Sequence, residues 1–302
     1  MQPFWRKISQ TDPLMNSCLA PAKLNLTLRV GPPQSDGRHP LDSLICFTQK
    51  LGDQLTVKPA SDWRLEITGP FGAGLGVGPE NLVCRAAQIL AAAGDIPAHA
   101  HLHLVKNLPL ASGIGGGSAD AAAAMHLLNK LWGLHLPQAE LLNLGAALGA
   151  DVPACLLGQP AHMTGTGETL GPTGPLSSMG VVLINPGVAC PTGPVYRAYD
   201  DLGAGPDLVV ESVPDLRSRE DLLAYLQAMP NDLEAAAISL VPEIGDAMAL
   251  LSASPHVRFV RMSGSGATCF ALFDDETAAQ AAKKFIENGL ANRSFWVEAD
   301  RI

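Results

Sequence analysis

Aromatic side chains make up 5% of the 302 residues and charged ones only 16%, while 47% are hydrophobic. A chain this poor in charge and this rich in apolar groups cannot stay expanded in water, so intrinsic disorder is excluded. No CxxC spacing links Cys18, Cys46, Cys84, Cys155, Cys190 and Cys269. They sit in apolar runs and read as buried thiols of a reducing compartment, the cytoplasm, rather than as a disulfide frame or zinc site. No apolar run has the length of a membrane-spanning helix, and Arg6 and Lys7 are not followed by the apolar stretch of a secretion signal. Residues 1–16 are expected to form a disordered, frayed extension. No period of repeat length recurs, which removes solenoids and propellers. Positive charge is short as well: 20 basic against 29 acidic residues leave −9. That balance argues against nucleic acid or an anionic membrane as partner, but leaves room for a local site that takes a small anion.

Glycine and proline are plentiful and mark the joints. Loop-rich stretches fall at 31–40, 69–79, 171–180 and 186–194, and the third suggests a division into domains of residues 1–172 and 173–302. From Lys23 to Val30 the residues alternate, with Leu24, Leu26, Leu28 and Val30 on one side and Lys23, Asn25, Thr27 and Arg29 on the other, which predicts a half-buried strand with a solvated polar face. A second strand is expected over 101–106, then helices over 120–131 and 137–148. In the second half, strands are predicted at 181–184, 257–262, 267–273 and 294–298. Helices are predicted at 220–227, over a broken stretch at 231–251 capped by Asn231 or Asp232, and from Asp275 to Gly289. Strands and helices interleave irregularly, an α+β pattern.

The strongest local signal is Pro109-Leu110-Ala111-Ser112-Gly113-Ile114-Gly115-Gly116-Gly117-Ser118-Ala119, between a predicted strand and a predicted helix. Glycines permit left-handed backbone angles, so such a loop can aim successive N–H groups into one concavity, and the helix that follows adds its unpaired N–H groups and positive dipole end. Phosphate suits that place better than a plain tight turn does. No lysine follows the glycines, and Ser118 stands where a GxGxxG begun at Gly113 needs glycine, so neither Walker nor Rossmann loop is matched.

Three further features are ambiguous alone. Lys23 and Asn25 share a strand face roughly 6.6 Å apart and can touch one ligand, or simply meet water. Asp151 follows a helix stop among apolar neighbours, where it caps the next turn or serves as a general base held ionised by a lysine. Gly264-Ser265-Gly266 is a hairpin turn or a second backbone approach to a polar ligand. His39 is more ordinarily a loop residue than a catalyst.

Taken in chain order, the segments 20–26, 36–39, 108–123, 148–153, 186–188, 231–234 and 263–267 resemble the GHMP kinase superfamily, and within it the branch that acts on a cytidine-diphosphate-linked alcohol of isoprenoid biosynthesis. The resemblance implies a two-domain α+β fold, ribosomal-S5-like then ferredoxin-like, the first binding ATP and the second on the substrate side. It implies phosphoryl transfer from ATP with Mg²⁺, Lys23 and Asp151 as the active-site pair, and 109–119 as the phosphate loop with Ser118 reaching the metal. Asn81, Leu82 and Lys106 would neighbour the adenosine; Asn25, His39, Thr192 and Tyr196 would meet the cytidine diphosphate, Tyr196 by stacking. A monomer or weak homodimer is expected. Arg38 stands where the family often has an aromatic residue, and Ala119-Asp120 replaces a small polar pair. The rival readings are another GHMP small-molecule kinase and a catalytically silent nucleotide sensor.

Overall fold

The computed structural model describes residues 17–203, 205–290 and 293–302; the expected N-terminal extension lies outside them. The chain forms β1 (Ser17–Asn25), β2 (Arg29–Val30), β3 (Leu41–Lys58), β4 (Trp63–Thr68), α1 (Leu82–Ala93), β5 (Ala100–Val105), α2 (Gly116–Leu131), α3 (Gln138–Ala146) and α4 (Val152–Leu157). There follow β6 (Ala161–Thr164), β7 (Thr169–Pro172), β8 (Gly180–Asn185), α5 (Thr192–Asp201), α6 (Arg219–Ala228), α7 (Glu234–Leu240), α8 (Glu243–Ser252), β9 (Phe259–Met262), β10 (Cys269–Phe273), α9 (Glu276–Gly289) and β11 (Trp296–Arg301). The mixture is α+β, as the sequence pattern implies.

Two compact units result, and they are not consecutive halves. The first takes residues up to 22, then 52–110 and 115–159; the second takes 23–51, 111–114 and 160–302. A division at 172/173 therefore differs from the packing, because β3 is one long strand that serves both units.

In the first unit the C-terminal part of β3 pairs antiparallel with β5, and β4 lies parallel to β5, joined to it through α1. α1 packs on α2, and α2 on α4. The alanine run Ala121–Ala124 of α2 is wholly buried, small side chains letting the helix backbones approach closely. Asn81 caps α1, its side chain accepting from Val83 N at 2.9 Å.

In the second unit the N-terminal part of β3 pairs with β2 and β6, and β6 with β7. A separate antiparallel sheet runs β11-β8-β10-β9, with α8 against β9 and β10 and α9 against β11 and β8. Strand β10 is buried throughout, and Val182, Ile184, Phe273, Ile244, Leu251 and Ile286 belong to this unit's core. The predicted helix over 231–251 is two helices, interrupted at Val241-Pro242, where proline cannot donate to the preceding turn. Asp275 caps α9 as expected, accepting from Ala278 N at 2.8 Å.

All six cysteines are free and buried, in agreement with the sequence reading. No helix among the described residues is long and apolar enough to cross a membrane.

Candidate active site

The predicted helix after the glycine cluster begins four residues early, inside the cluster, at Gly116. Gly115 precedes it with φ +64° and ψ 20°, a left-handed conformation that turns the chain sharply into the helix. The first N–H groups of α2 have no partner within the helix. Ser118, half-buried, lies in that first turn.

The middle of the loop is held by the second unit. Ile114 O accepts from Lys23 N at 2.9 Å, Ser112 O from Thr268 N at 3.1 Å, and Gly113 O from Ser263 Oγ at 3.2 Å. Gly113 has φ +75°, and a Cβ on it would stand 2.5 Å from Gly266 O and 2.7 Å from Ser263 O. Only glycine fits there. The turn that carries Gly264 and Gly266 is the β9–β10 hairpin that the sequence allowed, and its backbone also packs closely on the loop.

Lys23 and Asn25 correct the expectation of a solvated strand face, for both are buried, as is Thr27. Buried polar groups require partners. Asn25 Nδ2 donates to Ser43 Oγ at 2.7 Å, Ser43 Oγ to Thr27 O at 2.6 Å, and Asn25 N to Ser263 Oγ at 3.1 Å. The glycine turn is fixed from its other side by Asn231, whose Nδ2 lies 2.9 Å from Met262 O and 2.9 Å from Gly264 O. Asn231 is therefore a clamp on the turn, and its Oδ1 also accepts from Leu233 N at 3.0 Å just before α7, which starts after Leu233.

Also in the second unit, Thr192 Oγ1 lies 2.9 Å from Ser265 Oγ, and Tyr196, one turn further along α5, tilts its ring at 46° against His39 with centroids 4.9 Å apart. His39 Nε2 lies 2.8 Å from Asp200 Oδ1. The structure thus gathers His39 with Tyr196, and sets Thr192 and Asn25 on the same Ser263–Ser265 turn that holds the loop. Arg38 is exposed and held by Asp36, with Arg38 Nε 2.8 Å from Asp36 Oδ2.

In the first unit Asp151 stands at the start of α4 with φ −83° and ψ −15°, and its side chain makes no capping hydrogen bond. The capping role that competed with catalysis is not taken up. Leu82 lies beside the loop: its Cδ1 would be 3.7 Å from a Cβ added to Gly117. Asn81 is engaged by its cap and by a 2.8 Å bond from Nδ2 to Gly76 O.

Lys106, expected beside adenosine, has its ammonium buried between two carboxylates. It pairs with Asp53 Oδ2 and, at 2.8 Å, with Asp120 Oδ2, all three side chains being 5% exposed or less. Burial opposes its charge, but Asp120 and Asp53 outweigh that and raise its pKa. Asp53 Oδ1 accepts from Asn107 N at 2.6 Å and Leu108 N at 2.8 Å, which fixes the chain as it enters the loop. A Cβ on Gly116 would lie 3.0 Å from Lys106 Nζ, so the triad underlies the start of α2. Sequence reasoning missed this role of Asp53 and Asp120; the signal was an acidic residue in each of two apolar elements, with a lysine at the end of a third.

Profiles of known families agree with this arrangement. The GHMP kinases N terminal domain matches residues 81–159, and the GHMP kinases C terminal matches 209–292. A homoserine kinase from Cytophaga hutchinsonii shares the fold, with a TM-score of 0.70 at 20% identity over 97% of this chain and 96% of its own. A crystal structure of a 4-(cytidine 5'-diphospho)-2C-methyl-D-erythritol kinase gives a TM-score of 0.75 at 35% identity, covering 94% of this chain and 98% of that one. The 4-diphosphocytidyl-2-C-methyl-D-erythritol kinase of Hyphomonas neptunium is 46% identical over 285 residues, 94% of this chain and 95% of the relative. That of Cereibacter sphaeroides (strain ATCC 17025 / ATH 2.4.3) is 46% identical over 289 residues, 95% and 99% of the two chains.

The fold and the relatives are those of a small-molecule kinase with an alcohol as acceptor, a family that implies ATP as co-substrate. The chain belongs to the GHMP kinase family, and within it to the 4-diphosphocytidyl-2-C-methyl-D-erythritol kinases.

Proposed function

We propose that the protein transfers the γ-phosphoryl group of ATP to the 2-hydroxyl of 4-diphosphocytidyl-2-C-methyl-D-erythritol, in the non-mevalonate route to isoprenoid precursors. Asp151 accepts the hydroxyl proton as that oxygen attacks phosphorus, and Lys23 orients the carboxylate and offsets charge on the transferring group. Residues 109–119 bind the ATP phosphates through backbone N–H groups, so positioning and electrostatics supply most of the rate. Leu82 contributes an apolar wall toward the nucleotide; Asn81 and Lys106 act from behind it, as cap of α1 and as support of the loop. Asn25, His39, Thr192 and Tyr196 bind the cytidine diphosphate, with Tyr196 stacking on the base.

Among the described residues no group of three or more His, Cys, Asp and Glu side chains is disposed to hold a metal, while Ser118 lies in the first turn of α2. That donor set fits Mg²⁺ carried on the nucleotide, with Ser118 as the side chain that reaches it. When bound, the metal neutralises charge on the transferring phosphate. The free, buried cysteines support a cytoplasmic enzyme.

One observation carries the reading: the turn that fixes Gly113 of the phosphate loop also fixes Asn25 and Thr192. Purified protein incubated with Mg·ATP and the cytidylylated methylerythritol should yield product heavier by one phosphate, seen by mass spectrometry. ADP release with a sugar, homoserine or mevalonate and not with this acceptor would assign another GHMP kinase activity. Nucleotide binding without turnover of any acceptor would assign a sensor.

A further inference from the structure

Thr192 and Ser265 form a pair of unlike hydroxyls. Thr192 is exposed at the first residue of α5, whereas Ser265 is buried at 8% exposure, and their oxygens lie 2.9 Å apart. Each hydroxyl has one hydrogen to donate and two lone pairs, so once bonded together the two keep a single O–H for anything else. Burial decides which of them keeps it. Among the described residues Ser265 Oγ has no hydrogen-bond partner besides Thr192 Oγ1, and a buried O–H without an acceptor is costly. Thr192, being exposed, can give its hydrogen to water or to a ligand. Ser265 therefore donates, Thr192 accepts, and the free hydrogen is that of Thr192.

The same bond fixes where that hydrogen points. A threonine inside a helix can bond a carbonyl one turn back, but at the first residue of α5 no helical carbonyl lies there, so the helix itself does not choose between its χ1 rotamers. Ser265 can choose, because the turn that carries it is held from three places. Cys190 Sγ donates to Ser265 O at 3.2 Å, Gly266 N to Ser263 O at 3.0 Å, and Asn231 Nδ2 to Gly264 O at 2.9 Å. Burial raises the pKa of Cys190, which keeps the thiol protonated and able to donate.

Resting on the reading that Thr192 meets the cytidine diphosphate, we propose that Ser265 is a positioning residue for the acceptor. By donating to Thr192 it turns the threonine hydroxyl into an aligned donor, matched to an oxygen that only accepts. The ionised diphosphate of the acceptor offers such oxygens, and a hydrogen bond to a charged oxygen is among the strong ones. Ser265 acts through Thr192 and does not meet the acceptor itself.

The test is isothermal titration calorimetry of the full chain with the cytidylylated methylerythritol and no ATP, arranged as a double-mutant cycle on Thr192→Val and Ser265→Ala. Thr192→Val should weaken binding roughly 10- to 100-fold, the range for a hydrogen bond to a charged group, and Ser265→Ala roughly 5- to 20-fold. The double variant should bind no more weakly than Thr192→Val, since Ser265 has nothing to act on once the threonine hydroxyl is gone. Cytidine, which lacks the diphosphate, and Mg·ATP should each bind Ser265→Ala as they bind the unaltered chain. Unchanged acceptor affinity in Ser265→Ala, additive losses in the double variant, or an equal loss of affinity for cytidine or Mg·ATP overturns the proposal and leaves Ser265 as a support of the turn. Undiminished acceptor binding by Thr192→Val overturns the reading of Thr192 and this inference with it, and absence of acceptor binding by the unaltered chain overturns the proposed function as well. If Ser265→Ala does not fold, Ser265→Cys, similar in shape and a weaker donor, takes its place in the cycle.

Discussion

His39 Nε2 and Asp200 Oδ1 lie 2.8 Å apart, with the imidazole packed at the same time against Tyr196 and, edge-on, against Tyr199. An ionised carboxylate only accepts, so it assigns the proton to Nε2; in the neutral ring Nδ1 then carries a lone pair and accepts. An acceptor at that position suits an exocyclic amino group such as cytosine has. On the proposed reading, Asp200 positions His39, and His39 is the side chain that meets the base. Asp200→Leu, which offers Nε2–H no acceptor and so leaves the tautomer of His39 unfixed, should raise KM for the cytidylylated acceptor roughly 10- to 100-fold while kcat and KM for ATP change little. Steady-state kinetics with each substrate varied in turn checks this; an equal loss in both KM values would assign Asp200 a purely structural role.

Asp151→Asn keeps the shape of the side chain and removes its basicity. Turnover should fall roughly 10²- to 10⁴-fold while ATP affinity, measured by titration, stays near that of the unaltered protein. Near-normal turnover would remove Asp151 from the chemistry.

Two glycines of the loop should answer differently to alanine. Gly113→Ala forces a side chain into a left-handed backbone and onto the carbonyls of Gly266 and Ser263, and should cost about 2 kcal/mol or more of stability. Gly117→Ala adds a Cβ inside α2 whose nearest neighbour is Leu82 Cδ1 at 3.7 Å, and should stabilise by about 0.5 kcal/mol. If backbone approach to phosphate matters at Gly117, the same substitution weakens Mg·ATP binding. Urea unfolding alongside nucleotide titration separates the two effects.

Stability should depend on pH in two opposed ways. Asp120, raised chiefly by burial to about 8, keeps in the folded state a proton that the unfolded chain releases near its ordinary value of about 3.9. Its contribution is present below that value and is lost as pH rises through about 8. His126, lowered by burial to about 4, stays neutral when folded; its contribution is present above about 6.5 and is lost as pH falls toward 4. Asp120→Asn should flatten the alkaline side of the stability profile and His126→Gln the acid side, each on the order of 1 kcal/mol per pH unit within its window. Urea midpoints across pH 4 to about 9 give the answer, and parallel profiles for the unaltered and altered proteins would refute it.

Where one periodicity dominated, the fold was legible: β5, β8, β10, α3, α6 and α9 fall within a few residues of their expected positions. Strand β3 was not, because Asp42 to Thr48 are buried on both faces and so do not alternate. The glycines also hid the first turn of α2, since their weak helix propensity is overridden by the structure that holds the loop. At the site, the loop stood out in the sequence because a plain turn rarely needs four glycines. The polar side of the first strand was misread because burial of Lys23 and Asn25 depends on Ser43 and Ser263, which are remote in the chain. Asp53, Asp120 and Asp200 escaped for the same reason: each matters through one partner that only folding supplies.

The interleaving of segments in the two units limits how this enzyme can be cut. Each unit is assembled from three separate stretches of the chain. A fragment starting at residue 160 would lack residues 23–51, and with them Asn25, His39 and Ser43; its complement would carry the phosphate loop without Ser263 and Thr268, which hold Gly113 and Ser112. Neither piece can be expressed as a working module, so exchange of substrate range between such kinases by splicing halves is closed off. New specificity must come from single side chains around a backbone that stays whole.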